Sequence, residues 1–511
     1  MNGPAPRVGT AVWRGVGLAL AFAFLIPVIV SQRQFPPAWD DAYFLHRATC
    51  VNRAIAERSV AEFRDCVSIV SKSPLMVLLS APWGTFGRSI DGLGAALVSL
   101  EVLSWALAAL VLAVALRIGV PPFVVAACAA ALSLDPLVVD YGGTYLADTV
   151  FALAVTLTLL LIRLERGRQD ASLRAAAARG VLWAAAINAG LLSKLPFLFF
   201  LAWVAPPVLW LRVRAVGARA ALATLGVAVA LSLGAVALNL VILRQATQHA
   251  LDASYGLAAT FYAHDGGARA FLTGFAARNG AAYGLALLVL IAGAARHRRG
   301  GRADLAWDLY PLLVLAMFLG LIATSPNRDD RFGLPISVAL PFLIASTLGA
   351  RGREGVAPSS SAPQLAWFLL AGVLVSLPAI GRLDLRYVRE ADAVLSALPP
   401  SGKLLLGTDD GRLNVETFLL ARELAHGRLG TVAVDTLVYD PLHGLSLEAS
   451  LARLRRADYV ALKRPPLETD PPWANRNAER YRVDALARGA LVEVPGSSMM
   501  DLVRLAPAPP R

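Results

Sequence analysis

The stretch VWRGVGLALAFAFLIPVIV, from Val12 to Val30, decides the fold class. After Val12 and Trp13 it runs apolar from Val16 to Val30, interrupted only by Arg14, Gly15 and Gly17. An apolar run of this length reads as a transmembrane helix rather than a buried soluble one. Similar blocks recur at roughly 94–116, 120–139, 145–162, 180–193, 195–211, 220–242, 280–295, 307–324, 333–349 and 364–380. That predicts an α-helical polytopic membrane protein with about eleven spans. The 180–193 and 195–211 blocks are each short, and Lys194 stands between them. Composition agrees: 57% of the 511 residues are hydrophobic and only 16% charged, against about a quarter charged in soluble domains.

A formal charge of +12 invites a nucleic-acid reading, which the placement of the charge excludes. The arginines gather in every second loop: Arg163, Arg166, Arg168, Arg174 and Arg179; Arg212, Arg214 and Arg219; Arg296, Arg298, Arg299 and Arg302; Arg351 and Arg353. Short loops rich in Lys and Arg stay in the cytoplasm. Alternation then sets the N-terminus inside. Loops 32–90, 140–145, 243–279 and 325–332, and everything after 380, fall outside. The first block carries weak flanking charge and no small-residue cleavage site, so it reads as a retained anchor. The Ala, Arg, Gly and Leu bias is consistent with a GC-rich bacterial genome, and the expected location is a bacterial inner membrane.

Two regions stand apart from the spans. In loop 32–90, Tyr43, Phe44, Ala48, Val51, Ala54 and Ile55 repeat at helical spacing, as do Val60, Phe63, Val67 and Val70. Both patterns predict amphipathic helices lying on the membrane surface. Lys72-Ser73-Pro74 breaks the second, and the apolar run Leu75 to Phe86 is too short to span. Cys50 and Cys66 both lie in this outer, oxidising loop, where either a disulfide or two free thiols fits; Cys128 falls within a span and reads as packing. After 380 charged residues become frequent. Strand-like runs at Lys403 to Leu406, Thr431 to Val434, Tyr459 to Leu462, Leu491 to Val494 and Leu502 to Leu505 alternate with helical patterns. The prediction is a membrane unit over 1–384 and a small extracytoplasmic α/β domain over 385–511. Asp409-Asp410-Gly411 reads as a turn rather than a site.

The residues best suited to chemistry follow the first span, in FPPAWDDAYF, Phe35 to Phe44. Asp40 or Asp41 suits a helix N-cap. One acid suffices for a cap, and two adjacent carboxylates raise each other's pKa, which suits a general base. Tyr43 lies beside them. Lys72 follows at the end of the same loop, Lys194 interrupts an apolar stretch, and Arg328 and Arg331 flank Asp329-Asp330 at the outer end of a late span. Each alone is explained by snorkelling to lipid headgroups; together they form a basic cluster for a phosphate if the outer ends of the spans converge. Glu101 and Asp148 are ionisable residues within or near spans, where such groups are expensive and face the bundle interior.

Four segments carry a resemblance: Trp39-Asp40-Asp41-Ala42-Tyr43; Lys72-Ser73-Pro74-Leu75 with Ala81-Pro82-Trp83; Asp135-Pro136 with Ala147-Asp148-Thr149; and Gly190-Leu191-Leu192-Ser193-Lys194. In their order and topology they resemble the C-type (GT-C) superfamily of lipid-linked-sugar glycosyltransferases, near the protein O-mannosyltransferase and lipid A aminoarabinose transferase branch. Ser73 stands where the commonest pattern has Pro. The resemblance implies a sugar donor joined to a polyprenyl phosphate and a lipid, polysaccharide or protein acceptor. It also implies inversion at the anomeric carbon, with Asp40 or Asp41 as base, Asp40 favoured. Lys72 is the first choice for the donor phosphate, with Arg328, Arg331 and Lys194 behind it. Some members use a divalent metal, here held by Asp40 and Asp41 if at all. Two other readings stand beside it: a transporter or flippase of lipid-linked sugars, and a non-catalytic subunit of an envelope-polymer assembly.

Overall fold

The computed structural model describes residues 39–67, 74–79, 93–120, scattered positions from 124 to 138, 147–166, 172–194, 196–255, 267–277, 302–325, 330–349, 386–408, 412–425, 432–437, 447–464 and 478–506. The blocks at 12–30, 280–295 and 364–380 lie outside these residues, as does most of 120–139. Among the described residues three helices are long and apolar enough to cross a membrane: Leu173–Ser193, Pro196–Val216 and Ala218–Leu240. Shorter apolar helices run through Val102–Ile118, Tyr310–Thr324 and Arg331–Ser346.

The helical part opens with α1 (Trp39–Ala56) and α2 (Val60–Val67), followed by α3 (Leu93–Ile118) and α4 (Asp148–Arg166). Then come α5 (Leu173–Ser193), α6 (Pro196–Val216) and α7 (Ala218–Tyr255), with α8 (Arg302–Thr324) and α9 (Leu334–Gly349) after a 3-10 turn at Asp330–Gly333. α4 is the hub. Residues 150–165 are all buried, and α3, α5, α6, α8 and α9 pack around them. A helix apolar on every side belongs in the middle of a bundle.

Helix association in a bilayer rests on close packing and interhelical hydrogen bonds rather than on exclusion of water. The α5–α7 pair shows both. A Cβ at Gly180 would lie 2.6 Å from Val227 Cβ and 2.8 Å from Thr224 O, so only glycine lets these backbones approach. Asn188 Nδ2 donates to Leu231 O at 3.2 Å, Asn239 Nδ2 to Leu191 O at 3.1 Å, and Thr224 Oγ1 to Ala176 O at 3.1 Å. Much of the remaining surface of α7 is exposed and apolar, including Leu222, Leu231, Leu233 and Leu240. The helix continues past its apolar part to Tyr255, into the segment that the sequence assigned to an outer loop.

The C-terminal part is a five-stranded sheet with helices. It comprises α10 (Arg386–Ser396), β1 (Lys403–Leu406), α11 (Val415–Leu424), β2 (Ala433–Thr436), α12 (Leu447–Leu454), β3 (Tyr459–Lys463), α13 (Ala478–Arg488), β4 (Gly489–Val492) and β5 (Met500–Leu505). The strand order is β2-β1-β3-β5-β4. β1 pairs parallel with β2 and β3; β5 pairs antiparallel with β3 and β4. Asn414 caps α11 by accepting from Thr417 N at 3.2 Å. The buried Glu390 of α10 ties that helix to the β4–β5 connection. It accepts from Ser498 N at 3.0 Å, Met499 N at 2.8 Å, Met500 N at 2.9 Å, and from the Ser497 hydroxyl.

One expectation needs correction. α1 does not lie open on a membrane surface. His46 and Asn52, on its polar side, are buried, because α11 packs against it. Helical periodicity marks two faces but does not say what covers the polar one.

Candidate active site

Lys194 owes its position to a glycine and a phenylalanine. The α5 helix ends at Lys194, whose backbone N–H still reaches Gly190 O while its own φ of −155° leaves the helix. Two residues on, α6 starts with Pro196, a favoured first helical residue. The sharp reversal folds Phe197 back onto α5. A Cβ at Gly190 would fall 2.4 Å from three atoms of that ring. Gly190 is therefore the residue that lets α5 and α6 meet closely enough to leave Lys194 at the corner.

From that corner Lys194 Nζ forms an ion pair with Oδ1 of Asp148. Asp148 is the first residue of α4, and only 4% of its surface is exposed. A carboxylate at a helix N-terminus gains from the free N–H groups there. A charge buried this far needs a partner of opposite sign, and Lys194 is that partner. The ammonium also lies 5.1 Å from the ring centroid of Phe332, and the Arg331 guanidinium lies 5.5 Å from the same centroid. Each such cation–ring contact is worth about 0.5–1 kcal/mol or more. The turn bearing Arg331 and Phe332 is held in its own way: a Cβ at Gly333 would sit 2.2 Å from Phe275 Cε2. Phe275 belongs to helical residues 267–277 and stacks on Phe271 at 6.0 Å. The segments around 148, 194, 267–277 and 331 thus converge at one end of the bundle.

This convergence gathers three of the residues singled out from sequence, Asp148, Lys194 and Arg331. Phe332 was missed; its only signal was its place beside Arg331 at the end of an apolar block. Asp40 and Asp41 fall in the first turn of α1, and Glu101 in α3; their side chains lie outside the described residues, as do Lys72 and Arg328 altogether. Tyr43 is buried on α1, edge-on to Phe44 at 5.6 Å and with the Arg47 guanidinium 5.6 Å from its ring. Cys50 and Cys66 are joined by a disulfide that fastens α2 to α1. Among the described residues, no group of three His, Cys, Asp or Glu side chains could hold a metal ion.

The far end of α4 carries a second charged group that sequence reasoning placed in loops. Arg163, Arg179 and Arg212 are inside helices and buried, together with Glu165. Glu165 pairs with Arg212 and with Arg179, the latter at 3.5 Å, and accepts from Trp183 Nε1 at 3.1 Å. Arg212 Nη2 donates to Thr224 Oγ1 at 2.8 Å. The cluster joins the ends of α4, α5, α6 and α7.

No protein-family model matches the chain, and no curated protein does. Solved structures do. ArnT from Cupriavidus metallidurans bound to undecaprenyl phosphate aligns over 98% of this chain and 98% of its own, with 13% identity and a TM-score of 0.52. In its apo state the figures are 97%, 98%, 13% and 0.54. The chain shares the fold of these two structures, as its resemblance to the GT-C superfamily implied. The archaeal oligosaccharyltransferase AglB from Archaeoglobus fulgidus, in complex with an inhibitory peptide and a dolichol-phosphate, extends the likeness. It covers 96% of this chain and 74% of its own, with 12% identity and a TM-score of 0.50. The likeness runs through the helical part and the C-terminal sheet together, since nearly the whole chain aligns. At these identities it speaks to fold alone.

Proposed function

We propose that this protein is a membrane glycosyltransferase that moves a sugar from a polyprenyl-phosphate donor to an envelope acceptor at the outer face of a bacterial inner membrane. The observation that carries the reading is the meeting of Lys194, Asp148, Arg331 and Phe332 at one end of a GT-C-type bundle. Positive charge held in a partly dry site suits a leaving phosphate, where negative charge grows in the transition state. Lys194 and Arg331 supply that charge; Lys72 and Arg328 are the further candidates that the sequence offers. Asp148 holds the Lys194 ammonium in place through their ion pair.

The acceptor hydroxyl or amine attacks the anomeric carbon from the face opposite the phosphate, which inverts the configuration. The C–O bond to phosphate breaks as the new glycosidic bond forms, and Asp40 or Asp41 takes the acceptor proton. A phosphate leaves without a general acid. Asp40 is favoured as the base because the first acid of such a pair holds that role in the family that the sequence resembles.

Sugar transfer by the purified full chain tests this. A panel of polyprenyl-phosphate sugars is offered with an envelope acceptor fraction, comparing wild type with Asp40→Asn, Asp41→Asn and Lys194→Ala. The reading expects loss of sugar from one donor by wild type, and at least a hundredfold slower loss by one or both Asp variants, the scale of general-base catalysis. Lys194→Ala slows turnover too. No turnover of any donor, or turnover indifferent to both Asp substitutions, overturns the reading.

A further inference from the structure

The C-terminal domain meets α1 through two contacts in register. The Nδ1–H of His46 donates to Oε2 of Glu416 at 3.1 Å, since a carboxylate can only accept. Arg53 Nη1 donates to Oε2 of Glu423 at 2.5 Å. Both pairs are 370 residues apart in sequence. Constant separation means that α1 and α11 run parallel, and the two contacts lie two helical turns apart on each helix. His46 and Glu423 are buried, with side chains only 4% and 5% exposed. Among the described residues α1 is also held by α2, through Cys50–Cys66 and the Arg53–Glu62 pair. The covalent tie is local, whereas the charged tie comes from a separate domain.

The acidic pair Asp40-Asp41 sits in the first turn of the same helix, roughly 8 Å along the axis from His46 at 1.5 Å per residue. The rotation and height of α1 fix where that turn stands. We propose that the C-terminal domain is a positioning element for the acidic end of α1, with Glu416 and Glu423 as positioning residues that hold the helix in register with α11. On this assignment the domain's contribution is to the geometry of the base, so the inference rests on the transferase reading.

The test uses the full-length protein and compares wild type, Glu416→Gln/Glu423→Gln, and Glu62→Gln. The Gln pair keeps shape and removes both acceptor charges. Glu62→Gln removes the local partner of Arg53 and leaves the domain contact whole. Two quantities are read: transfer kinetics, and hydrogen exchange of the backbone amides of residues 40–46. The expected result for the Gln pair is turnover lower by roughly ten- to a hundredfold, the penalty of misplacement by about 1 Å. Donor and acceptor KM stay within about twofold, and exchange at 40–46 is about tenfold faster. Glu62→Gln resembles wild type in both. Should the double variant fail to fold, each single Glu→Gln is read in the same way.

Unchanged exchange and turnover in the Gln variants overturn the proposal. So does an effect confined to acceptor KM, which would make the domain an acceptor-binding module, and so does an equal loss in Glu62→Gln, which would mean general destabilisation. If wild type transfers no sugar, the transferase reading falls by itself, and the exchange data alone decide whether α11 holds α1.

Discussion

Replacing Gly190 by alanine puts a methyl carbon 2.4 Å from three atoms of the Phe197 ring. Ordinary carbon contacts lie near 3.5–4.0 Å, so ring and methyl must separate by about 1 Å or more. Phe197 is wholly buried and braced by Phe151 at 6.2 Å and Phe200 at 5.4 Å. The strain therefore passes to the backbone of the α5–α6 corner, where Lys194 sits. Overpacking of this kind costs about 1–3 kcal/mol, and a shift of about 1 Å in a phosphate-binding group costs up to about a hundredfold in rate. Thermal unfolding of the purified protein and sugar transfer read the two effects. Gly190→Ala lowers both the melting temperature and turnover. Adding Phe197→Leu makes room for the methyl and recovers part of each, so the two changes combine non-additively. A Gly190→Ala protein that melts and turns over like wild type refutes the account of how Lys194 is placed.

Glu390→Ala removes the acceptor of three backbone N–H groups. Bonds to a charged acceptor are worth about 1.5–3 kcal/mol each, and the fully buried Met500 N–H has no water to turn to. Amide exchange at 498–500 should quicken by at least a hundredfold, with Glu390→Gln in between. Burial alone would raise the Asp501 carboxyl, but hydrogen bonds and charge from Arg464 and Arg482 outweigh it and hold it below the usual carboxylate range. With the folded value depressed, its stabilisation is complete above the unfolded value near 4 and disappears as pH falls through the folded one. Between pH 5 and 3 the melting temperature of wild type should therefore fall more than that of Asp501→Asn. Cys50→Ser with Cys66→Ser frees a short loop worth about 3 kcal/mol in the chain-entropy model, and lowers the melting temperature in non-reducing buffer.

Long apolar blocks are visible in sequence because a bilayer admits little else. The α5–α6 break at Lys194 is an example: the charge that made the two blocks look short is the corner between them. Strand positions were less legible where pairing decides them. β2 begins at Ala433, two residues after the apolar run does, because its parallel register sets Ala433 beside Lys403. β4 begins at Gly489, where a Cβ would lie 2.4 Å from Arg504 O; periodicity carries no trace of that approach. At the site, Lys194, Asp148 and Arg331 were legible singly as charges where charge is costly. Their union, and the part of Phe332, depend on contacts between distant segments. Glu165 was hidden for another reason. Arginines near a span end read as loop residues, and only packing shows that Arg179 and Arg212 turn inward to meet it.

Because α4 is clamped by ion pairs at both ends, by Lys194 on Asp148 and by Arg179 and Arg212 on Glu165, it cannot slide along its axis without breaking one set or the other. A bilayer that thins or thickens must be met by some part of the protein, through tilt or local deformation. α7, for all its exposed leucines, is bonded to α5 along its length and must move with it. Accommodation to the membrane therefore falls on a tilt of the packed helices together, while the distance between the two charged ends of the axle stays constant.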